Sequence, residues 1–159
     1  MLATPMRRRV LFAALYLSEG APIGFIWWYL PTRFRAAHIP IEQITALSAA
    51  LVLPWTLKFL WAPLIDAWRA RGGTARSWIM AAQIVMGLAL LPIAGLDLRS
   101  DLSLVFPLLL IHAIAAATQD VAIDTLAIAV TGAHERGAIN GWMQAGMLVG
   151  RSVFGGVTH

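Results

Sequence analysis

Long apolar runs separated by short polar stretches dominate the chain. Their lengths predict five bilayer-spanning helices at about 10–30, 43–64, 77–96, 103–130 and 138–157. Each run reaches about 30 Å at 1.5 Å per residue, the thickness of a hydrocarbon core. No two-residue alternation marks a strand, and no low-complexity tract interrupts the pattern. The connections 31–42, 65–76, 97–102 and 131–137 are short, which implies antiparallel neighbours in a helix bundle. The expected fold class is all-α: one transmembrane domain over residues 1–159.

Both ends of the pattern need a decision. Arg7-Arg8-Arg9 followed by Val10 to Leu17 imitates a secretory signal. The apolar run resumes beyond Glu19 as Ala21 to Leu30, long enough to span, so a retained first helix is expected. The fifth span runs into Gly155-Gly156-Val157-Thr158-His159 with no exit segment. The expectation is a truncated N-terminal half, completed by further C-terminal helices or by a second copy.

Composition supports the membrane reading and removes other classes. Apolar residues make up 59% and charged residues 13%, with mean hydropathy +0.73. A soluble domain carries about 25% charged residues, so 12 basic and 8 acidic side chains cannot cover a water-facing globule of this size. The net charge of +4 is no nucleic-acid signal, because most basic residues sit in the short loops that set orientation in a bilayer. Arg7, Arg8, Arg9, Arg69, Arg71, Arg76 and Arg136 lie on one side, and Arg33, Arg35 and Arg99 on the other. The N-terminus is therefore expected in the cytoplasm, and the membrane is expected to be the inner (cytoplasmic) one. The absence of cysteine excludes disulfides and thiolate metal sites. No cofactor and no metal site is expected.

Five ionisable side chains fall inside the spans: Glu19, Lys58, Asp120, Asp124 and Arg151. Each costs at least about 2.5–3.5 kcal/mol near the bilayer centre, so such a residue marks a site or a pairing. Counted along the helices, they lie about 13, 12, 16, 10 and 20 Å from the cytoplasmic ends. Four helices thus place charge in one slab near the midplane, where transporters hold substrates and coupling ions. Three acids face two bases there, leaving one carboxyl without a partner and open to protonation near neutral pH. Asp120 and Asp124 share a helical face with Gln119 beside them. Against this, Lys58 and Arg151 could simply neutralise the acids and pin helices together, with Lys58 set against Asp124.

Other features read as packing or as mobility. Gly20, Pro22 and Gly24 lie near Glu19, and Pro54 and Pro63 bracket Lys58, where kinks free backbone carbonyls toward a cavity. Gly146-x-x-x-Gly150 gives the fifth span a small-residue face. Trp27 and Trp28 fit an interfacial belt, or a platform for a sugar or aromatic ligand.

Four segments carry a family likeness: Ser18-Glu19-Gly20-Ala21-Pro22; Lys58-Phe59-Leu60-Trp61-Ala62-Pro63-Leu64-Ile65-Asp66 leading into Arg69 to Arg76; Thr118-Gln119-Asp120-Val121-Ala122-Ile123-Asp124; and Glu135-Arg136-Gly137. In these the chain resembles the AmpG-type branch of the major facilitator superfamily, which includes muropeptide permeases and acetyl-coenzyme A transporters. The resemblance covers the chain but only the first five of a member's twelve or more spans. It implies a secondary transporter that moves a bulky anionic or sugar-bearing solute, such as a muropeptide, with protons. Glu19, Lys58, Gln119, Asp120, Asp124 and Arg151 would then form the substrate and proton pathway. Asp66 with Arg69, Arg71 and Arg76 would form the cytoplasmic gate, although Ala67 and Trp68 separate Asp66 from the first arginine.

Two other readings compete. An intramembrane prenyltransferase would use Asp-x-x-x-Asp motifs to hold magnesium diphosphate. The second such motif, Asp97 with Asp101, falls at the opposite face from Asp120 and Asp124. A small self-assembling membrane protein would need to dimerise, because alternating access takes two opposing bundles.

Overall fold

The computed structural model describes residues 4–156, which are helices joined by short turns, with no strand among them. The expected fifth-span terminus at Val157, and the Thr158-His159 end, lie outside the described residues. Helix α1 (Pro5–Gly24) runs through a π-helical turn, Phe25–Tyr29, into α2 (Leu30–Ala36). Helix α3 (Ile41–Leu57) ends in a 3-10 turn, Lys58–Leu60, before α4 (Ala62–Ala70). Helix α5 (Ala75–Leu90) ends in a 3-10 turn, Pro92–Gly95, and α6 (Leu102–Val130) follows. The last helix is α7 (Arg136–Gly156), entered from a 3-10 turn, Ala133–Glu135.

Four of these units are long and apolar enough to cross a membrane: Pro5–Ala36, Ile41–Leu60, Ala75–Gly95 and Leu102–Val130. The chain is thus a multi-pass membrane protein. The expected fifth span coincides with α7, which has the length but less apolar character than the other four. Two expected loops are shorter than the sequence pattern indicated. Residues 30–36 extend the first span because Pro31, lacking an N–H, is tolerated at the start of a helix, and the π turn absorbs the register change. Residues 62–70 form α4, restarted in the same way at Pro63.

Chain reversals are closed by side chains and by left-handed residues. Thr4 caps α1 by accepting from the Arg7 N–H, and Thr74 caps α5 by accepting from the Ser77 N–H at 3.3 Å. Helix α4 ends in a Schellman motif: Gly72 takes φ +88°, its N–H reaches the Arg69 carbonyl, and the Gly73 N–H reaches Trp68. Helix α2 ends the same way, but with His38 at φ +58°, its N–H on Arg35 and the Ile39 N–H on Phe34. Left-handed backbone costs a residue with a Cβ roughly 1–2 kcal/mol. Replacing His38 by Gly should therefore stabilise the protein by about 1 kcal/mol, read as a higher unfolding midpoint in detergent.

Helix α6 is the central element, packed against α5, α3 and α1, while α7 lies parallel along α1. Two apolar clusters fill the interior. One gathers Phe12 and Tyr16 of α1, Ile65 of α4, Ile79 of α5, Ile123 of α6 and Ile139 of α7. The other gathers Ile26, Leu30 and Phe34 with Ile44, Leu51 and Leu109. The clusters leave a gap on α1 around Glu19 and on α6 around Gln119 and Asp120, and the polar side chains occupy it.

Candidate functional site

The backbone prepares this gap from three helices. Pro54 inside α3 and Pro63 at the head of α4 stop the second span from running as one regular helix. Lys58 sits at the break, on the C-terminal end of α3, where an ammonium meets the negative end of the helix dipole. On α1, Tyr16 and Glu19 are three residues apart and face α6. On α6, Gln119, Asp120 and Asp124 lie on one face through the i, i+4 spacing.

Each carboxylate is met by a different kind of donor. The Lys58 ammonium pairs with Asp120 Oδ2. The Tyr16 hydroxyl donates to Asp124 Oδ1. Gln119 Nε2 donates to Glu19 Oε2 at 3.2 Å and to Ser18 Oγ at 3.3 Å. Glu19 and Gln119 are fully buried, and Glu19 Oε1 and Gln119 Oε1 both lack a hydrogen-bond partner. The Trp55 indole N–H approaches Glu19 from α3 without closing a bond. Three acids and one base thus share a region that runs from fully buried at Glu19 to partly exposed at Asp124 and Lys58, with Asp120 acting electrostatically on both Glu19 and Asp124.

Five of the six expected pathway residues meet here: Glu19, Lys58, Gln119, Asp120 and Asp124. Lys58 bonds Asp120 rather than Asp124, whose carboxylate is taken by Tyr16. Arg151 stands apart. Its guanidinium lies 5.7 Å over the Trp27 ring and 5.4 Å over the Trp28 ring. The cause is local: a close glycine contact seats the Arg151 backbone on Gly24, so its side chain meets the π turn that presents both indoles. Trp27 and Trp28 therefore form a cation–π platform for a protein side chain.

The expected gate residues are not assembled. Asp66, Arg69, Arg71 and Arg76 are all exposed and make no ion pair with one another. On α4, Asp66 and Arg69 flank an exposed face, and the chain between Arg71 and Arg76 turns at Gly72 and Gly73. The ion pair formed near this end is Arg8 with Glu135, whose two carboxylate oxygens both accept from Nη2 at 2.7 Å.

Among the described residues, no three His, Cys, Asp or Glu side chains are grouped to hold a metal ion. Asp97 and Asp101, the second Asp-x-x-x-Asp pair, close their own loop. Asp97 Oδ1 accepts from the Ser100 and Arg99 N–H groups at 2.8 and 2.9 Å, and Asp101 Oδ2 accepts from the Asp97 N–H at 2.9 Å. Those backbone donors, Ser100 first and then Arg99, hold the exposed Asp97 carboxyl below its ordinary range.

Two participants escaped the sequence reading. Tyr16 is one turn before Glu19, and its spacing alone places it on the same face. His112 is fully buried on α6, seven and eight residues before Gln119 and Asp120, again on their face. Periodicity could have found both, had uncharged polar side chains been treated like charged ones.

Comparison with known proteins bears on these elements. A family model described as acetyl-coenzyme A transporter 1 matches residues 9–100. An uncharacterized protein of Haemophilus influenzae is 31% identical over 150 residues, which is 91% of this chain and 35% of that protein. The anhydromuropeptide permease of Escherichia coli is 27% identical over 151 residues, 94% of this chain and 30% of the permease. A putative transporter, AmpG 3, of Rickettsia prowazekii is 29% identical over 126 residues, 76% of this chain and 30% of its own length. The chain thus spans about a third of the length of these curated relatives. No solved structure matches.

Proposed function

Because the chain belongs to the acetyl-coenzyme A transporter 1 family, we propose that it is the N-terminal part of a proton-coupled permease. The whole protein would move a bulky anionic or sugar-bearing solute, such as a muropeptide, across the cytoplasmic membrane by alternating access. The grouping of Glu19, Asp120 and Asp124 around the single Lys58 ammonium carries this reading. Fully ionised, it would hold two surplus negative charges in a largely desolvated region. Taking up protons removes that penalty, and releasing them to one side of the membrane restores it.

The donors give each acid a separate part. Asp120 is tied to Lys58, so protonating Asp120 frees the ammonium for an anionic group on the solute. Asp124 is held by a neutral phenol, which stabilises either form. Glu19 has one free oxygen and an amide neighbour, a setting in which a proton can be gained without breaking an ion pair. The break in α3 at Lys58 supplies a joint at which the ammonium can move. In this reading the N-terminus is cytoplasmic. Asp66, Arg69, Arg71 and Arg76 face the remaining C-terminal helices as the gate, which accounts for their exposure within this portion alone. An intramembrane prenyltransferase is disfavoured because Asp97 and Asp101 are spent on their own loop and Asp120 and Asp124 on Lys58 and Tyr16.

Uptake by the full-length protein in proteoliposomes tests the proposal. A radiolabelled anhydromuropeptide should accumulate under an imposed pH gradient, acid outside, and a protonophore should abolish accumulation. Accumulation indifferent to the protonophore overturns proton coupling, and uptake restricted to solutes without charge or sugar overturns the solute class.

A further inference from the structure

Of the two basic side chains inside the expected spans, Lys58 has a carboxylate and Arg151 has none among the described residues. Trp27 and Trp28 meet the Arg151 guanidinium through their ring faces instead. Such contacts engage the charge but consume none of its five N–H donors. Nε is buried with no partner, and no acceptor among the described residues bonds the terminal nitrogens. A charge kept inside a span marks a site or a pairing, and here these residues supply no pairing. The indoles are not used up either. Both remain nearly half exposed, which leaves ring surface for a guest.

Backbone contact fixes this arrangement. The Arg151 carbonyl and Cα come so close to Gly24 that a Cβ there would overlap them, which seats the guanidinium against the π turn. Helical register then sets its direction. Trp27 lies eleven residues beyond Tyr16, three turns on, and so returns to the face of α1 from which Tyr16 bonds Asp124. On α7, Arg151 lies eight residues beyond Met143, which packs in the same cluster as Tyr16. The platform thus stands about 16 Å along α1 from Tyr16 and on its side of the bundle. That register favours a solute over a lipid headgroup, because the carboxylate cluster and the platform then line one path.

We propose that Arg151, framed by Trp27 and Trp28, is an anion subsite for a carboxylate or phosphate carried on a sugar ring. The inference rests on the transporter reading above and names the part of the solute that is held away from Lys58. A guanidinium fork matches the two oxygens of an oxyacid. The C–H face of a sugar ring covers apolar indole surface beside it. The two cations differ in availability. Asp120 must release the Lys58 ammonium before a solute can take it, whereas Arg151 has no competing acid.

Equilibrium binding to the full-length protein in detergent reads the subsite without a proton gradient. The probes are N-acetylmuramic acid, whose carboxylate is tethered to the ring, and its methyl ester. The parent should bind the acid at least about tenfold more tightly than the ester. Arg151→Gln should bind both as weakly as the parent binds the ester. Arg151→Lys, which preserves the charge should the neutral variant not assemble, lacks the fork and should recover only part of the preference. Trp27→Leu should weaken acid and ester alike, by about threefold. Equal affinity of the parent for acid and ester, or a preference that survives Arg151→Gln, overturns the subsite. An Arg151-dependent affinity for phosphatidylglycerol, with none for the sugar acid, overturns it in favour of a lipid headgroup. A parent that keeps the preference but ignores a pH gradient in proteoliposomes overturns proton coupling and leaves the subsite standing.

Discussion

Replacing Asp120 by Asn in the full-length protein is expected to abolish uptake driven by a pH gradient, with a loss of at least about a hundredfold. Asn keeps the size of the side chain and can accept from Lys58, so the α3–α6 contact is not emptied. What it removes is the charge and the ability to bind a proton. The Lys58 ammonium then faces a neutral partner; its side chain is 35% exposed, so the loss falls below the roughly 3–5 kcal/mol that breaking a fully buried pair costs. Part of the loss will therefore be structural, and a second substitution separates the parts. Lys58→Met with Asp120→Asn removes both charges and should recover stability, because a neutral pair carries no buried-ion penalty. The double variant should still fail to accumulate solute against a gradient. Parental pH-driven accumulation in Asp120→Asn would remove Asp120 from the coupling machinery. Recovery of coupling in the double variant would mean that the pair only holds α3 to α6.

The contrast between this pair and Arg151 shows what sequence patterns reveal. The all-α membrane class and the approximate positions of four spans are legible because apolar run length reports directly on bilayer thickness. The meeting of Glu19, Lys58, Gln119, Asp120 and Asp124 is also legible, since depth along a helix follows from counting residues. Azimuth is another matter. Arg151 shares the slab by depth but turns toward Trp27 and Trp28, because glycines on α1 and α7 set the rotation of one helix about the other. Depth counting also paired Lys58 with Asp124, whereas the broken end of α3 delivers it one turn away, to Asp120. The helical extension to Ala36 and the separate α4 follow from prolines that act as helix starts as readily as breaks. The Arg8–Glu135 pair joins residues 127 apart in sequence, and nothing local announces it.

Those glycines support the second large expectation, that Gly146→Leu unfolds or misassembles the bundle. Helices α1 and α7 are parallel and interleave two small-residue faces, Gly20 and Gly24 on one, Gly146 and Gly150 on the other. A Cβ on Gly146 would overlap the Ala13 carbonyl, one on Gly150 the Leu17 carbonyl, and one on Gly20 the Met147 carbonyl. Each obstruction is backbone, which has no rotamer to yield, so a larger side chain must push the helix axes apart. Separation forfeits the Cα–H to carbonyl contacts, about 0.5–1 kcal/mol each, and the dispersion along both helices. It also strains the Arg8–Glu135 pair at one end and the Arg151 platform at the other. Even Gly146→Ala should cost about 1–3 kcal/mol. Gly141→Ala is an internal control on the same helix, because its Cβ would meet nothing within 4 Å, and higher helix propensity should stabilise it by up to about 1 kcal/mol. Unfolding midpoints in detergent, measured for Gly146→Ala, Gly146→Leu and Gly141→Ala of the full-length protein, should fall slightly, fall strongly and rise. Equal midpoints for the two alanine variants would dissolve the interleaved α1–α7 contact. Opposite shifts would establish that the close backbone approach of α7 to Ala13, and not helix propensity, sets the tolerance of Gly146.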